Sequence, residues 1–298
     1  MSYASTSLGV VGRIRSVPDL WRMRVGTADA TAQATVATVD QMKNALRAHG
    51  YELIGRDVLD IGPGQQLRQM KAVSADNRVV GIDSDLVVQG FSPKQYARMF
   101  VANGALRTIK TLGRKALGAD RALDQALSRR VGTDGFGRLD VRTMDAGAMG
   151  FADRSFDIVM SFSCFEHLED PRAALREIRR VVRPGGWAWI SIHNYTSHSG
   201  QHDVHVMAQN PPHEPFWPHL RPKYAPTVHP ATYLNRLRLA DWESLFAAAL
   251  PGTTWHRELH LEVADAMPSL RAAGELADYT DDELLSINLV AQWRCPED

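Results

Sequence analysis

Apolar runs alternate along the chain with segments that have the spacing of amphipathic helices. Five short runs rich in Val, Ile and other apolar residues predict strands at about 57–61, 78–83, 139–144, 156–162 and 187–192. Continuous apolar runs are typical of strands that helices cover on both faces of a parallel sheet. Helical spacing occurs between and before these runs, at 28–49 and 171–182. This alternation predicts an α/β fold with a doubly wound, Rossmann-like sheet.

The last third of the chain continues the pattern less regularly. A helix is expected at 231–250, a strand at 253–263, a short helix from Asp281 and a final strand at 287–295. Pro184-Gly185-Gly186 is expected to form a turn that ends the helix at 171–182.

Two long segments interrupt the alternation. Residues 86–137 are expected to form a mostly helical insertion, with breaks near Pro93, Gly104, Gly113, Gly118 and Gly132. Residues 193–230 are rich in proline and histidine and lack periodicity, which predicts a lid loop over a functional site.

Length and composition indicate an ordinary globular chain. With 298 residues and no internal repeat, the prediction is an N-terminal tail and helix at 1–50, in which Trp21 and Met23 anchor the tail, and one domain at 51–298. The two cysteines, Cys164 and Cys295, form no disulfide framework and suggest a reducing compartment. No apolar run approaches the roughly 20 residues of a membrane span, and no signal peptide is evident. A cytoplasmic location is therefore expected.

The formal net charge is zero, but the helical insertion is locally basic. Between residues 94 and 134, nine Lys and Arg residues stand against three Asp residues, a net charge of +6. Such a face is either simply solvated or a platform that attracts an acidic substrate, a phosphate or an anionic membrane surface through residues 94–130.

The stretch from Val58 to Gln66 has the strongest candidate chemistry. Its apolar strand residues enclose Asp60 and lead into Gly62 and Gly64, which allow a sharp turn and a close approach of the backbone to a ligand. Asp83 follows about 20 residues after the first glycine, where a carboxylate reaches a ribose. A third glycine is absent at Leu67, and Asp60 would repel a pyrophosphate, so NAD is disfavoured.

Six motifs in order resemble the class I S-adenosylmethionine-dependent methyltransferases, and most closely the small-molecule enzymes called type 11. They are Val58-Leu-Asp-Ile-Gly-Pro-Gly64, Val80-Gly-Ile-Asp83, Met144-Asp-Ala146, Ser155-Phe-Asp-Ile-Val-Met-Ser161, Phe165-Glu-His-Leu-Glu-Asp-Pro171 and Arg183-Pro-Gly-Gly186. The resemblance spans residues 55–192. It implies S-adenosylmethionine as cofactor and a seven-stranded sheet whose last strand, near 287–293, is antiparallel.

By this resemblance, Asp60, Gly62 and Gly64 line the methionine part of the cofactor, whose ammonium explains a carboxylate beside glycines. The family often has a third glycine where Gln66 stands, so the contact with the cofactor carboxylate differs there. Ser161 and Phe162, just past the fourth strand, border the cofactor opposite the glycine loop.

The same resemblance assigns the nucleoside half of the cofactor. Asp83 binds both ribose hydroxyls and Ser84 lies at the adenine edge. Asp145 accepts a hydrogen bond from the adenine amino group, and the backbone of Ala146 assists.

Histidines are the candidates for catalysis, since an attacking hydroxyl must lose its proton. The candidates are His167, His193, His198 and His202, each of which is alternatively a packing or capping residue. If the segment were helical, His198 and His202 would share a face, and with Asp203 a metal site would be conceivable. No metal signature is present, so no metal is predicted.

The predicted activity is methyl transfer to a hydroxyl of a small polar molecule or saccharide, with Trp217 and Tyr224 as candidates for stacking on a sugar ring. The alternatives are C- or N-methylation of a lipid-like or aromatic acceptor, and a non-catalytic cofactor-binding partner protein. Nucleic acid is not expected as a substrate, because Asn210-Pro211-Pro212-His213 lies far from the fourth strand, where an amino-methyltransferase would have it.

Overall fold

A seven-stranded sheet forms the centre of the protein. The computed structural model describes residues 27–297. Its strands are β1 (Asp57–Ile61), β2 (Arg78–Asp83), β3 (Asp140–Thr143), β4 (Phe156–Phe162), β5 (Val182–His193), β6 (Thr254–Leu259) and β7 (Ser286–Arg294). The spatial order is β3-β2-β1-β4-β5-β7-β6, and β7 runs antiparallel to both neighbours. The predicted fold class is confirmed, including the antiparallel last strand.

Helices cover both faces of the sheet. They are α1 (Ala28–Ala48), α2 (Arg68–Ser74), α3 (Pro93–Asn103), α4 (Ala105–Ala116), α5 (Ala119–Val131), α6 (Pro171–Val181), α7 (Val204–Met207), α8 (Leu239–Ala249), α9 (Met267–Ala272) and α10 (Asp281–Leu285). Short 3₁₀ turns occur at Phe165–His167, Pro218–Leu220, Ala225–Thr227 and Leu261–Ala266. Within residues 27–297, no helix is long and apolar enough to cross a bilayer.

Successive residues of the central strands point to opposite faces, so two apolar cores form. Leu59 and Val159 belong to the core that α6 and α8 complete, with Trp242 of α8 buried in it. Val58 and Ile158 belong to the other core, which includes Met42 of α1 and Met70 of α2. All of these side chains are buried, which holds β1 and β4 rigidly beneath the crevice at their carboxyl ends.

The insertion between β2 and β3 is helical, as expected, and consists of α3, α4 and α5. Breaks occur at Gly104 and Gly118, but the expected break at Gly113 is wrong, because α4 runs through this residue. An isolated glycine costs a helix only about 1 kcal/mol, which the rest of the helix offsets. The last insertion helix, α5, packs on α1 through Leu123, Leu127 and Ala32.

The segment Pro184-Gly185-Gly186 does not form the simple turn expected from the sequence. Strand β5 begins at Val182 and continues through the three residues, and its pairing with β4 shifts register between Phe156 and Ile158. Gly186 lies so close to the Asp157 carbonyl oxygen that an added Cβ would approach it to 2.6 Å. The expected turn is therefore an irregularity inside the strand.

Three boundaries after residue 230 differ from expectation. The helix predicted from residue 231 begins at Leu239, since residues 231–238 form an irregular segment, of which 231–233 line a cavity. The strand predicted at 253–263 ends at Leu259, and the 3₁₀ turn Leu261–Ala266 and helix α9 follow it. Helix α9 was not predicted.

The segment at 193–230 is more deeply buried than the lid loop that the sequence predicts. Asn194, Thr196 and Ser197 are fully buried, and Asn194 donates hydrogen bonds to the Glu283 and Ser286 carbonyls at 2.8 and 2.9 Å. Trp217 is also fully buried, in a small core against α9 and α10. This burial favours its role as an anchor over stacking on a sugar. The predicted tail anchor, Trp21 and Met23, lies outside the described residues.

Candidate functional site

A cavity of about 1090 Å³ opens at the carboxyl ends of β1, β2 and β4. Strand β1 pairs with β2 on one side and with β4 on the other, so the chain changes direction across the sheet at this point. Open α/β sheets bind ligands in the crevice beside such a switch point. Nine of the ten predicted cofactor residues line the cavity: Asp60, Gly62, Gly64, Gln66, Asp83, Ser84, Asp145, Ala146 and Phe162.

Ser161 is the tenth predicted cofactor residue, and it does not line the cavity. It is fully buried, and its hydroxyl donates to the Ile61 carbonyl at 2.8 Å, which joins β4 to β1 just below the glycine loop. The arrangement gives Ser161 a supporting position, while its predicted contact with a cofactor stays a prediction.

Asp60 is a buried carboxylate that lacks a compensating partner. It is 2% exposed, and its Oδ2 has no hydrogen-bond partner among the described residues. Burial, and secondarily the nearby Asp83, raises the pKa of Asp60 to about 8. A buried unpaired acid at the wall of a cavity is costly unless a ligand satisfies it, and a cationic group is the best match. This fits the ammonium of a methionine moiety.

The glycine loop is constrained by its contact with the segment after β4. Gly62 has φ +74°, and a Cβ on it would lie 2.7 Å from the Cys164 Cβ and closer still to the Sγ. Burial raises the pKa of the Cys164 thiol well above its usual value, so this residue packs as a neutral thiol. Only glycine allows β1 to turn here against Cys164.

Asp83 is held in a fixed orientation by two backbone amides. Gly64 N donates to Oδ2 at 3.1 Å and Asp85 N donates to Oδ1 at 2.8 Å. Each carboxylate oxygen keeps a second lone pair, so the group remains able to accept from two adjacent hydroxyls. Burial raises the pKa of Asp83. The geometry fits the predicted contact with a ribose.

Two more predicted residues are anchored by local hydrogen bonds. Asp145 Oδ1 accepts from Gly147 N at 2.8 Å, which fixes the turn after β3. Gln66 Nε2 donates to Asp120 Oδ1 at 3.3 Å, so the glycine loop is tied to α5 of the insertion. The residue that replaces the usual third glycine therefore has a structural partner in this chain.

Beside the cavity, Glu166, His167 and His202 form a cluster, which we call the His–Glu cluster. Glu166 Oε1 lies 4.0 Å from His167 Nε2 and 4.0 Å from His202 Nε2. The His167 Nδ1 hydrogen-bonds to the Tyr233 carbonyl at 2.8 Å, so Nδ1 carries the proton and Nε2 has a free lone pair. Both histidines line the cavity.

Burial sets the protonation of the His–Glu cluster. It raises the pKa of Glu166 to about 8 and lowers the pKa of His167. Burial, and then the neighbouring His193, lowers the pKa of His202 to about 2. The imidazoles are therefore neutral near pH 7 and available as acceptors or ligands.

The other two candidate histidines do not line the cavity. His193 is behind His202, with ring centroids 4.6 Å apart, and its Nε2 hydrogen-bonds to Ser199 Oγ at 3.0 Å. His198 Nδ1 accepts from Trp217 N at 3.2 Å. The segment 198–202 is not helical, and Asp203 accepts instead from two backbone amides, so the metal site considered from the sequence does not form. The catalytic roles stay predictions.

Sequence reasoning missed two partners of the cluster. Glu166 was quoted only as the neighbour of His167, although a carboxylate directly beside a candidate histidine was a usable signal. Nothing in the sequence indicates the Tyr233 carbonyl as a partner, since every residue has a backbone carbonyl. Its segment was also expected to be helical.

The mouth of the cavity combines charge with exposed apolar side chains. Arg107 of α4 pairs with Asp85 at 2.6 Å, and Arg114 of α4 pairs with Asp120. Four large apolar residues that line the cavity are exposed, with 65% exposure for Ile109, 59% for Leu117, 40% for Met207 and 37% for Leu106. Exposed apolar groups at a pocket mouth are characteristic of binding surfaces.

Comparisons with known proteins agree with this geometry. Residues 102–190 match the family model described as a methyltransferase domain. A probable S-adenosylmethionine-dependent methyltransferase of Mycolicibacterium smegmatis is 31% identical over 96 residues, which cover 32% of this chain and 36% of that protein. A ubiquinone biosynthesis O-methyltransferase of Sinorhizobium medicae is 33% identical over 86 residues, 28% of this chain and 35% of that protein.

The matched segments span about a third of the length of these two curated relatives. Among solved structures, phosphoethanolamine N-methyltransferase 2 of Haemonchus contortus, in complex with S-adenosyl-L-methionine, superposes with a TM-score of 0.44 and 17% identity. That superposition covers 86% of this chain and 52% of the other.

Proposed function

The chain carries a class I S-adenosylmethionine-dependent methyltransferase domain, and we propose that it methylates a hydroxyl group of a small molecule. The observation that carries this proposal is that two sets of side chains line one cavity. Asp60 and Asp83 line the cavity, and so do His167 and His202 of the His–Glu cluster. A cavity lined by both sets of side chains can hold the cofactor and the acceptor next to each other, as an in-line displacement requires.

S-adenosylmethionine, when bound, supplies an electrophilic methyl group on a sulfonium. In the proposed complex the unpaired Asp60 carboxylate binds the ammonium of the methionine part. Asp83, oriented by the amides of Gly64 and Asp85, binds the two ribose hydroxyls. Asp145 and the Ala146 backbone bind the adenine.

The His–Glu cluster supports a hydroxyl as the acceptor. Methylation of a hydroxyl requires loss of its proton, whereas a neutral amine has a lone pair already available. His167 presents Nε2 to the cavity because its Nδ1 is held by the Tyr233 carbonyl. Groups with free lone pairs, buried beside the acceptor, are suited to activate a hydroxyl.

The cavity mouth supports an acceptor with an apolar portion. The cavity that His167 and His202 line is also lined by exposed apolar residues, namely Leu106, Ile109 and Leu117 of the α4 region and Met207 of α7. An aromatic or otherwise amphipathic molecule would cover these side chains while its hydroxyl reaches His167. The Sinorhizobium relative is named for O-methylation in ubiquinone biosynthesis, which agrees with this class. The saccharide acceptor expected from the sequence stays a prediction.

Release of S-adenosylhomocysteine from the full chain, measured with a panel of phenols, catechols, saccharides and amines, tests the proposal. We expect turnover with a hydroxylated amphipathic acceptor. His167→Ala should lower kcat about 100-fold or more, the usual contribution of proton transfer, with cofactor affinity unchanged. His256→Ala is the matched control, because His256 is exposed on β6. Turnover with amines alone would contradict the proposal, and cofactor binding without turnover on any acceptor would favour a non-catalytic binding protein.

A second candidate, C- or N-methylation of a lipid-like acceptor at a membrane surface, is favoured by the outer face of the insertion. Phe100 and Val101 of α3 are 56% and 86% exposed, and Lys94 and Arg98 of the same helix are also exposed. Exposed apolar and basic residues on one helix are typical of segments that lie in an anionic interface.

Sedimentation with phosphatidylcholine vesicles, with and without anionic lipid, separates the two candidates. Docking through α3 predicts binding that requires anionic lipid and is lost in Phe100→Ser/Val101→Ser. A matched pair on an exposed helix elsewhere, Glu243→Ser/Ser244→Ala of α8, should leave the binding unchanged. Equal sedimentation with both vesicle types, or no sedimentation with either, would exclude docking through α3 and leave the small-molecule acceptor as the remaining candidate.

A further inference from the structure

The His–Glu cluster has the composition and spacing of a metal site. One ligand atom from each of Glu166, His167 and His202 lies within 4.8 Å of the other two. The three residues come from two separate segments, the 3₁₀ turn after β4 and the segment before α7, which the sheet brings together.

Two atoms of the cluster are buried without a partner. Glu166 Oε2 and His202 Nε2 make no hydrogen bond with the described residues, and the two residues are 2% and 9% exposed. A buried polar atom without a partner costs about 1–3 kcal/mol, and such groups are rare in native proteins. Two such atoms within one cluster indicate that a ligand is to be bound between them.

The orientation of His167 adds a third observation. Its Nδ1–H is donated to the Tyr233 carbonyl at 2.8 Å, which leaves Nε2 directed toward Glu166. Metal-binding histidines characteristically donate the other ring N–H to a carboxylate or a backbone carbonyl in this way. The carbonyl fixes the tautomer that a metal requires.

We propose that Glu166, His167 and His202 bind a divalent transition-metal ion with an open coordination position toward the cavity. Both histidines line the cavity, so the open position is accessible to water or an acceptor oxygen. Two histidines and one carboxylate are the ligands of catalytic zinc and non-haem iron sites, whereas Mg²⁺ prefers oxygen ligands alone.

The spacing fits this ligand set after a small closure. Ligands at the 2.0–2.1 Å distances typical of Zn²⁺ lie roughly 3.3 Å apart in a tetrahedral site. The 4.0 Å separations of Glu166 Oε1 from the two imidazoles therefore have to shorten by roughly 0.7 Å, which side-chain rotation can supply.

If the protein acts on a hydroxyl, as proposed above, the ion explains how the hydroxyl is activated. An acceptor oxygen in the open position would lose its proton to water, because a bound divalent ion lowers the pKa of its ligand. The oxygen then forms a bond to the methyl carbon as the carbon–sulfur bond breaks, and the sulfur keeps the electron pair. The metal replaces an imidazole as the activating group.

The test uses the full chain, freed of metal with a chelator, and titrates Zn²⁺, Co²⁺ and Mg²⁺ separately by calorimetry. We expect one Zn²⁺ and one Co²⁺ per chain, weak or absent Mg²⁺ binding, and visible Co²⁺ bands of a four- or five-coordinate nitrogen–oxygen site. His202→Ala and Glu166→Gln should each weaken Zn²⁺ binding at least about 100-fold, more than the usual effect of losing a second-shell partner. His256→Ala on β6 is the histidine control and should bind Zn²⁺ as the natural chain does.

S-adenosylmethionine binding by each variant verifies that it is folded. Absence of stoichiometric Zn²⁺ and Co²⁺ binding in the natural chain, or binding that His202→Ala leaves intact, would overturn the proposal. The result is independent of the proposed reaction, since metal affinity is measured without acceptor. If the chain binds Zn²⁺ through these residues but methylates only amines, the proposal of a hydroxyl acceptor is refuted and the metal site is retained.

Discussion

At the scale of single residues, Gly62 is the position where packing and ligand binding meet. Gly62→Ala should destabilise the protein by about 2 kcal/mol or more, because alanine at φ +74° is strained and its Cβ would overlap Cys164. The overlap displaces the loop that carries Gly64, so cofactor affinity should fall as well. Thermal unfolding and calorimetry with S-adenosylmethionine measure the two effects.

Gly64→Ala is the matched control for this prediction. Gly64 also has positive φ, at +65°, but an added Cβ meets nothing within 4 Å. Its loss of stability should therefore include only backbone strain, about 1–2 kcal/mol. Removing the neighbour in Gly62→Ala/Cys164→Gly should recover part of the loss. Equal effects of the two alanines would show that Cys164 does not constrain the loop.

Asp60 gives a second prediction, in which loss of function accompanies a gain in stability. Its pKa of about 8 in the folded protein exceeds the ordinary value of 3.8, so the folded state holds a proton that the unfolded state releases. Between about pH 4 and 8 this lowers stability as the pH rises. Asp60→Asn removes the penalty, and its advantage should grow across that window.

Thermal unfolding at pH 5 and pH 8 measures this difference. At pH 8 we expect Asp60→Asn to be more stable than the natural chain by at least about 1 kcal/mol, or roughly 1.5–2 °C in Tm. Its affinity for S-adenosylmethionine should fall, since the ammonium loses its counter-charge. A variant less stable at both values of pH would mean that Asp60 has a partner in solution.

The cofactor residues were predictable because each is fixed by a short pattern. Asp60 and Gly62 follow from a strand and the loop directly after it, and Asp83 from the end of the next strand. The His–Glu cluster was not predictable in full. His167 and His202 are 35 positions apart in chain order and meet only because the segment after β5 folds back over the end of β4, and no local periodicity encodes that contact.

At the scale of elements, the segment after β5 is held by a buried amide. Asn194 Nδ2 donates to the carbonyls of Glu283 and Ser286, and the Thr196 hydroxyl donates to the Glu283 carbonyl at 2.8 Å. Asn194→Ala leaves the Ser286 carbonyl without this donor, which should cost about 1–3 kcal/mol. The loosened segment carries His202, so proteolysis between 193 and 230 should accelerate.

Limited proteolysis with mass spectrometry, beside denaturant unfolding, measures both effects. Gln125→Ala, at an exposed position of α5, is the control and should change neither. Lost stability without new cleavage between 193 and 230 would mean that Asn194 supports the whole fold rather than this segment.

Element boundaries were the least predictable feature, for identifiable reasons. The apolar spacing at 231–238 suggested a helix, but Asn235 is committed elsewhere, with Nδ2 donating to the Phe165 and Leu168 carbonyls at 2.8 and 3.2 Å. Tertiary hydrogen bonds thus override local preference. The sequence at 184–186 contains turn-forming residues, yet pairing of β5 with β4 and β7 absorbs them as an irregularity.

At the scale of the whole molecule, alternation predicted the class of fold but not the spatial order of the strands. The seven strands and the antiparallel β7 were implied by the resemblance of the motifs, and the strand pairing confirms them, whereas the order 3-2-1-4-5-7-6 comes from the structure alone. The packing of α5 on α1 had no signal in the sequence, since both helices simply present small and apolar residues. That contact joins the insertion to the start of the described chain.

The cofactor provides the last prediction, because binding to the folded state alone raises the stability of the entire domain. At a concentration 100 times Kd, S-adenosylmethionine should add about 2.7 kcal/mol, which corresponds to roughly 4 °C in Tm for a chain of this size. NAD should add nothing, because Leu67 stands where a dinucleotide loop has its third glycine and the buried Asp60 matches a cation rather than a pyrophosphate. Asp83→Ala should abolish the response to S-adenosylmethionine, whereas His256→Ala on the exposed face of β6 should retain it. A Tm shift with NAD, or an undiminished shift in Asp83→Ala, would refute the assignment of this wall of the cavity to the nucleoside and methionine of S-adenosylmethionine.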